Sequence, residues 1–486
     1  MPWNQPLLWT FLLVSHSVGL ITAVVALMST RTPQGTVAWI LGLITFPYLA
    51  VPMFWVFGHR RFEGYLVARR DRVSRLRKVL EEQLKQVQPW RIRIDEVGGG
   101  IQALEAMARL PLLSGNEVEL LVDGETIFAS LLAGIRRAQS YLLVQFYIVK
   151  DDEVGEELKR ALLEKADEGV RVYFLYDQVG SYSLSSHYLD HLRNGGVEVQ
   201  AFRSTRGLGM RFQINFRNHR KVVVADGVEG WVGGINIGND YVGRDPTVDP
   251  MRETHLRIQG PAAAGLQLSF LEDWNWAADE VLDLSWGPGL PLDTTHMETK
   301  GTDHDRAVLI LPSGPADQME TGSLLVQHAV HSAEERLWIS SPYFVPDSGV
   351  MAALRLAALR GVDVRILIPD RADHLVVGLA SFPFVGDLLE AGVRFFRYEP
   401  GFLHAKTVLL DNNASAVGTL NLDNRSFRLN FEITALVLDT AFASEMEAMF
   451  LNDFGRSREM TAEEVSSRPF GRRALSRAAA LFAPVL

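Results

Sequence analysis

The chain opens with two long apolar stretches and then changes rhythm. Leu7–Met28 and Thr36–Phe57 each run 22 residues without Asp, Glu, Lys or Arg, long enough to cross the hydrocarbon of a bilayer as helices. Arg31, Pro33 and Gly35 between them mark a compact turn, so residues 1–58 are expected to form a transmembrane helical hairpin, kinked in its second arm by Pro47 and Pro52. A cleaved signal peptide competes with this reading, but residues 1–6 carry no Lys or Arg and a second apolar stretch follows at once.

Further on, apolar positions alternate between short runs and a helical period. Tyr141–Val149 reads as a strand, Val154–Glu168 as an amphipathic helix and Gly169–Tyr176 as a second strand. The order recurs at Arg336–Val345, Val350–Arg360 and Gly361–Ile368, an offset of 192 residues (361 against 169). Such alternation predicts an α/β fold of two tandem domains with mixed sheets packed against each other. The expected division is a membrane hairpin over 1–58, a basic juxtamembrane connector over 59–115, a first domain over 116–285, a linker over 286–305 and a second domain with a C-terminal tail over 306–486.

Composition narrows the chemistry. With no cysteine, disulfides, thiolate metal sites and a thiol nucleophile are excluded. A net charge of −10 argues against a protein devoted to coating nucleic acid. The charge is uneven, however: Arg60, Arg61, Arg69, Arg70, Arg72, Arg75, Arg77 and Lys78 face only Glu63 and Asp71 in that interval. This excess puts the side after the second span in the cytoplasm; the segment either lies against anionic headgroups or is a solvated connector. The tail Arg468–Leu486 mixes arginines with Leu475, Leu481, Phe482 and Leu486, and reads as an interfacial helix, a helix packed on the second domain or a frayed end. Trp274 and Trp276 suit the core and rim of the first domain better than a membrane belt.

Each repeat ends in the same spaced polar set. The first holds His219, Lys221 and Asp226, then Gly233, Gly234 and Asn236; the second holds His404, Lys406 and Asp411, then Gly418, Thr419 and Asn421. On a strand, the His and Lys of His-x-Lys share one face and can converge on one small anion. With 12 histidines and eight lysines, chance gives about 0.2 His-x-Lys pairs in the chain, so two with matching Asp, Gly and Asn are not accidental. Displacement at a phosphodiester needs a nucleophile, an acid for the departing alkoxide and cations facing the nonbridging oxygens, which two imidazoles and two ammonium groups supply without a metal.

These sets resemble the paired His-x-Lys-x4-Asp motifs of the phospholipase D superfamily. More narrowly the chain resembles the bacterial cardiolipin synthases, through Arg31–Gly35, Asn215–Lys221, Gly233–Gly238, Ser341–Pro346, Gly401–His404 and Asn421–Phe427. Gly234 and Thr419 depart from the superfamily pattern, standing where Ser is frequent. The resemblance implies a two-step exchange without a cofactor: His219 attacks phosphorus to form a phosphatidyl-histidine, and His404 protonates the leaving alcohol and later activates the incoming one, an order of roles that the local sequence itself leaves open. It also implies that Lys221, Lys406, Asn236 and Asn421 bind the phosphoryl oxygens, and that Glu253 and Glu432 orient the histidines, although a strand salt bridge would use those glutamates equally well. Asp226 and Asp411 complete the catalytic set on this pattern; an Asp ending a strand before Gly227 or Asn412 also makes a turn.

The partners implied are phosphatidylglycerol and cardiolipin in the bilayer, with no nucleic acid. The location implied is the bacterial inner membrane, multi-pass, with the catalytic domains cytoplasmic. Arg203, Arg206, Arg211, Arg217 and Arg220 are either anion-binding or solvated loop residues, and the longer 204–218 segment is a candidate acceptor side or lid. Hydrolysis by the same residues, or a silent scaffold, are the rival readings. The sequence leaves the oligomeric state open.

Overall fold

A computed structural model describes residues 5–29, 32–58, 81–82, 84–93, 99–203, 215–282, 284 and 305–486. The basic run Arg60–Lys78, Arg31, Arg206, Arg211, most of the 204–218 segment and most of the 286–305 linker lie outside the described residues. The chain divides into two compact units, one comprising residues 1–71, 203–216 and 315–317, the other the remainder.

In the first unit, Gln5–Ser29 is one unbroken helix, and Leu7–Ser29 is long and apolar enough to cross a membrane. The second apolar stretch is two helices, Pro33–Thr45 and Pro47–Phe57, rather than the single arm expected from the pattern. The reason is local. Pro47 has no N–H to continue the ladder and restricts the residue before it, so Phe46 leaves the helical region at φ −132°, ψ 60°. Thr32 caps the first of these helices, its side-chain oxygen accepting from Gly35 N at 3.1 Å. Both pack on the long helix around Ala23, Ala26, Leu43, Ala50 and Phe54. Gly19 makes the approach possible, since a Cβ there would lie 2.4 Å from the Leu43 carbonyl oxygen.

The second unit holds both repeats. The first supplies β1 (Leu113–Val122), β2 (Tyr141–Phe146), β3 (Arg171–Asp177), β4 (Glu198–Phe202), β5 (Arg217–Asn218), β6 (Val222–Ala225), β7 (Glu229–Gly233), β8 (Met251–Arg252) and β9 (Thr254–Gln259). The second supplies β10 (Arg306–Ser313), β11 (Arg336–Ser340), β12 (Phe344–Val345), β13 (Asp363–Pro369), β14 (Arg394–Tyr398), β15 (Phe402–Leu403), β16 (Thr407–Leu410), β17 (Ala414–Gly418), β18 (Leu422–Asp423), β19 (Asn430–Leu438) and β20 (Ser457–Glu459). Outward from the centre, the first repeat runs β1-β9-β7-β6-β2-β3-β4 and the second β10-β19-β17-β16-β11-β13-β14. The two halves thus share one topology.

They are joined edge to edge. β1 pairs antiparallel with β10 (Leu113↔Val308, Asn116↔Arg306), making one continuous mixed sheet where two packed sheets were expected. Asn116 secures the seam, its Nδ2 donating to the Leu113 and Arg306 carbonyls while its Oδ1 accepts from Ala262 N. The seam covers what would otherwise be an unpaired strand edge in each half.

Period-two alternation explains how the sheet is covered. Leu142, Val144 and Phe146 of β2 meet the helices Gly124–Arg137 and Glu153–Asp167 in a core centred on Phe128, Leu131, Phe174 and Trp231. The alternate residues Tyr141 and Gln145 turn to the helix Ala263–Ala278, bonding Gln267 and Asp273 at 2.8 Å. Trp274 and Trp276 of that helix are buried, in keeping with a core role. Part of the expected connector is also folded here: Arg91 pairs with Glu105, whose Oε1 accepts from Leu112 N at 2.8 Å.

Candidate active site

Two short parallel pairings between the repeats place the chemistry. β5 lies parallel to the start of β19 in the register Arg217↔Asn430, Asn218↔Phe431, and His219 N then donates to the Phe431 carbonyl at 2.9 Å. One step along, His219 meets Glu432. The mirror arrangement pairs β15 with β8, Phe402↔Met251 and Leu403↔Arg252, with His404 N donating to the Arg252 carbonyl, so that His404 meets Glu253.

Each histidine is therefore held by the other repeat's carboxylate. His219 Nδ1 lies 2.8 Å from Glu432 Oε2, and His404 Nδ1 bonds Glu253 Oε1. With Nδ1 donating to a carboxylate, Nε2 is the nitrogen that remains for chemistry. Glu432 is itself fixed by Ser426 Oγ at 2.8 Å and Asn430 Nδ2 at 3.1 Å on its other oxygen.

Behind each glutamate stands a buried arginine. Arg220 Nε donates to the Glu432 carbonyl at 3.0 Å and its guanidinium pairs with Asp273; Arg252 bonds the Glu253 carbonyl and pairs with Asp453 at 2.9 Å. Arg220 is thus neither a solvated loop residue nor an anion site. Its fork braces the strand that carries the carboxylate.

The histidines face one cleft of about 620 Å³. Tyr147, Asn236 and Tyr241 line it from the first repeat, and Tyr343, Asp373, Asn421, Asp423 and Arg425 from the second. Tyr147 lies edge-on to His219 with ring centroids 5.0 Å apart, and Tyr241 to His404 at 5.9 Å. Tyr147, Tyr241 and Asp373 went unread in the sequence, and Tyr343 and Arg425 stood there only within the segments Ser341–Pro346 and Asn421–Phe427, without a role, since none has a repeated spacing to the motifs. Asn236 Oδ1 accepts from Ile148 N at 3.0 Å, whereas Asn421 Oδ1 is buried without a hydrogen-bond partner.

The lysines lie beneath the histidines rather than in the cleft wall. Lys221 Nζ donates to the His219 carbonyl at 2.6 Å and Lys406 Nζ to that of His404, which leaves further donors on each ammonium. Burial pushes Lys221 well below its ordinary value, and pushes Lys406 down to about 8 against the pull of Glu253 and Glu432. Burial likewise drives His219 down to about 4 and lowers His404. For the carboxyls burial acts upward, but the facing histidine and lysine outweigh it and hold Glu253 and Glu432 below the usual range. At neutral pH the site therefore has neutral imidazoles on ionised carboxylates.

Asp226 and Asp411 are not brought to this site. Each follows its His-x-Lys by five residues along a strand, roughly 16 Å at 3.3 Å per residue. Asp226 (φ 54°) accepts from the Gln139, Ser140 and Tyr141 backbone, and Asp411 (φ 48°) from that of Glu334, Glu335 and Arg336. Their grouping with the catalytic residues is corrected: both are left-handed turn residues that tie the far end of the strand to its neighbour.

Gly234 shows why serine is missing from the first set. A Cβ at Gly234 would stand 2.2 Å from Glu253 Oε2. In the second set the corresponding Thr419 instead accepts from Ile433 N at 2.9 Å and bonds Glu432. Gly234→Ala is expected to displace Glu253 and loosen His404, lowering turnover at least tenfold; the same change at the exposed Gly455, where a Cβ would meet nothing within 4 Å, should leave it unaltered.

Acid should destabilise this unit. His219, His404 and the buried His255, which burial pushes down to about 3, refuse protons that the unfolded chain accepts near pH 6.5. Stability from these depressed histidines is present above 6.5 and is lost as pH falls toward 4, and the lowered Glu253 and Glu432 act in the same direction below about 4.5. Melting of the full chain in detergent between pH 7 and 4.5 should show Tm falling steadily; a flat Tm would contradict it.

Known proteins share this architecture. A family described as "Cardiolipin synthase, PLD-like domain" matches residues 131–274 and 326–454, one match on each repeat. Cardiolipin synthase A of Pseudomonas entomophila is 45% identical over 494 aligned positions, covering all of both chains, and that of Pseudomonas fluorescens is 46% identical over 97% of each. A crystal structure of phosphatidylserine synthase from Haemophilus influenzae superposes with TM-score 0.59 at 16% identity, covering 80% of this chain and all of that one, a likeness of fold alone. Full-length identity at this level, with a domain match on each half of the continuous sheet, makes the chain a member of the cardiolipin synthase family, its two repeats that family's phospholipase D-like domains.

Proposed function

We propose that the chain moves a phosphatidyl group from one phosphatidylglycerol to another, giving cardiolipin and glycerol. The observation that carries the reading is the crossed pair His219–Glu432 and His404–Glu253 on one cleft. His219 Nε2 attacks phosphorus; the phosphorus–oxygen bond to glycerol breaks, and His404 supplies the proton to the departing oxygen. The phosphatidyl-histidine is then attacked by a hydroxyl of the second lipid, whose proton returns to His404, and the phosphorus–nitrogen bond breaks. The overall exchange is reversible, because the phosphate ester bond formed to the second lipid resembles the one lost to glycerol.

The electrostatics support these roles. A neutral His219 is the form that attacks, and a bound anionic diester raises His404 and both lysines toward their protonated forms. Lys221, Lys406, Asn236 and Asn421 would turn N–H donors to the nonbridging oxygens, Asn236 with its Oδ1 already held by Ile148 N. Two membrane passes over residues 1–58, with the larger unit cytoplasmic, complete the reading and keep the site at its lipid.

Product analysis tests it. Full-length protein in vesicles of labelled phosphatidylglycerol should yield cardiolipin and glycerol in equal amounts. Phosphatidic acid alone would keep the histidine chemistry and make the chain a hydrolase.

A further inference from the structure

The helix Phe470–Ala480 departs from the usual disposition of a surface helix. Its buried residues, Ser476 and Ala479, continue into Ala483 just beyond it at the i, i+3, i+7 spacing and are all small; Ala479 and Ala483 pack against Ala380 and Leu379 of the helix Leu375–Leu389. The large apolar residues face outward. Leu475, Ala478 and Phe482 share that same spacing on the exposed side, and Phe470, Leu475, Leu481 and Phe482 are 84, 55, 80 and 58% exposed. Arg473 and Arg477 border this face, exposed to solvent. A soluble helix keeps its large apolar side chains inward; this one spends small residues on packing and large ones on the outside.

The surface continues to the cleft. Leu375, 76% exposed, and Val376 open the partner helix and line the cleft, as do Val485 and Leu486 just beyond the tail helix. Arg425, another lining residue, is tied to that end of the tail: its N–H donates to the Leu486 carbonyl at 2.8 Å and its guanidinium to that of Val485.

We infer that the outward face of Phe470–Phe482, with the first turn of Leu375–Leu389, is an interfacial platform that seats the mouth of the cleft on an anionic lipid surface. Bulky apolar groups bordered by arginines match the acyl boundary and its phosphates, as on helices that lie in the membrane plane. The contact itself stands on the surface described; that it presents lipid to the histidines rests on the proposed transfer reaction.

Because the chain has no cysteine, single labels report cleanly. Leu475→Cys, Phe482→Cys and Glu168→Cys, in the full chain, are to be coupled to an environment-sensitive fluorophore. Each is then reconstituted into phosphatidylcholine vesicles with and without phosphatidylglycerol, containing spin-labelled lipid. Glu168 is exposed and precedes β3, at the sheet end opposite the histidines. Quenching at 475 and 482 at least twice that at 168, rising with phosphatidylglycerol, is expected. Equal quenching at all three would overturn the platform, as would labels at 475 and 482 shielded from aqueous iodide yet untouched by spin-labelled lipid, the result for a protein partner or second copy. Leu475→Glu with Phe482→Glu should lower turnover of vesicle lipid about tenfold and leave a short-chain diester in micelles within twofold; equal loss on both would also overturn it. Strong quenching in a chain that turns over no lipid leaves the platform standing and faults the transfer reading instead.

Discussion

Alanine at His219 or His404 is expected to lower phosphatidyl transfer by about 10⁴-fold or more, and the double variant should be no worse than either single one, since residues acting as a unit are non-additive. The singles should nevertheless differ with a nitrophenyl phosphodiester. Nitrophenolate leaves without a proton, so the first step no longer needs an acid. His404→Ala should then release a burst of about one nitrophenolate per chain and stop at the phosphorylated His219, whereas His219→Ala should give no burst. The reverse pattern would exchange the two roles, and a burst from both would remove histidine as the nucleophile. Burial lowers both imidazoles, so either ring can attack on electrostatic grounds alone, which is why the leaving group must decide.

The motifs made the histidines and lysines legible, because spacing repeated within one chain is itself evidence of a shared site. The spacing also carried Asp226 and Asp411 into the catalytic set, where they do not belong. A repeated residue can recur for a turn as readily as for chemistry, and the left-handed backbone at both positions is visible only in three dimensions. The glutamates were legible as histidine-orienting residues, but not which histidine each meets: Glu432 lies 213 positions from His219 and Glu253 151 from His404, and their meeting depends on two-residue strand exchanges too short to leave a periodic signal. Arg220 was misread because charge beside a motif suggests an anion, while its burial on Asp273 follows from a helix more than forty residues on. A kink at Pro47 in the second apolar arm was legible, and the structure goes further by dividing the arm there into two helices.

The crossed carboxylates give the second large effect. Glu432→Gln and Glu253→Gln each keep the volume and one hydrogen bond but lose the charge that fixes the Nδ1–H tautomer; in a serine protease triad the comparable change costs about 10⁴, and a fall of roughly 10²- to 10⁴-fold is expected here for each. Both carboxylates raise the facing histidine against its burial, so removing either charge makes that ring harder to protonate. For a nucleophile this costs stabilisation of the cationic ring formed on attack. For a general acid it costs the proton itself and moves the alkaline limb of the rate profile to lower pH. With phosphatidylglycerol only Glu253→Gln should move that limb, because Glu253 serves His404. With the nitrophenyl diester, the burst in Glu253→Gln should approach the wild-type rate while that in Glu432→Gln stays slow. If each carboxylate served the histidine of its own repeat, Glu253 would act on the nucleophile and Glu432 on the acid, and both results would invert. The activity assay thus reads out the strand exchange: each half of the sheet supplies the carboxylate that holds the other half's histidine, so neither repeat alone brings its histidine to that partner.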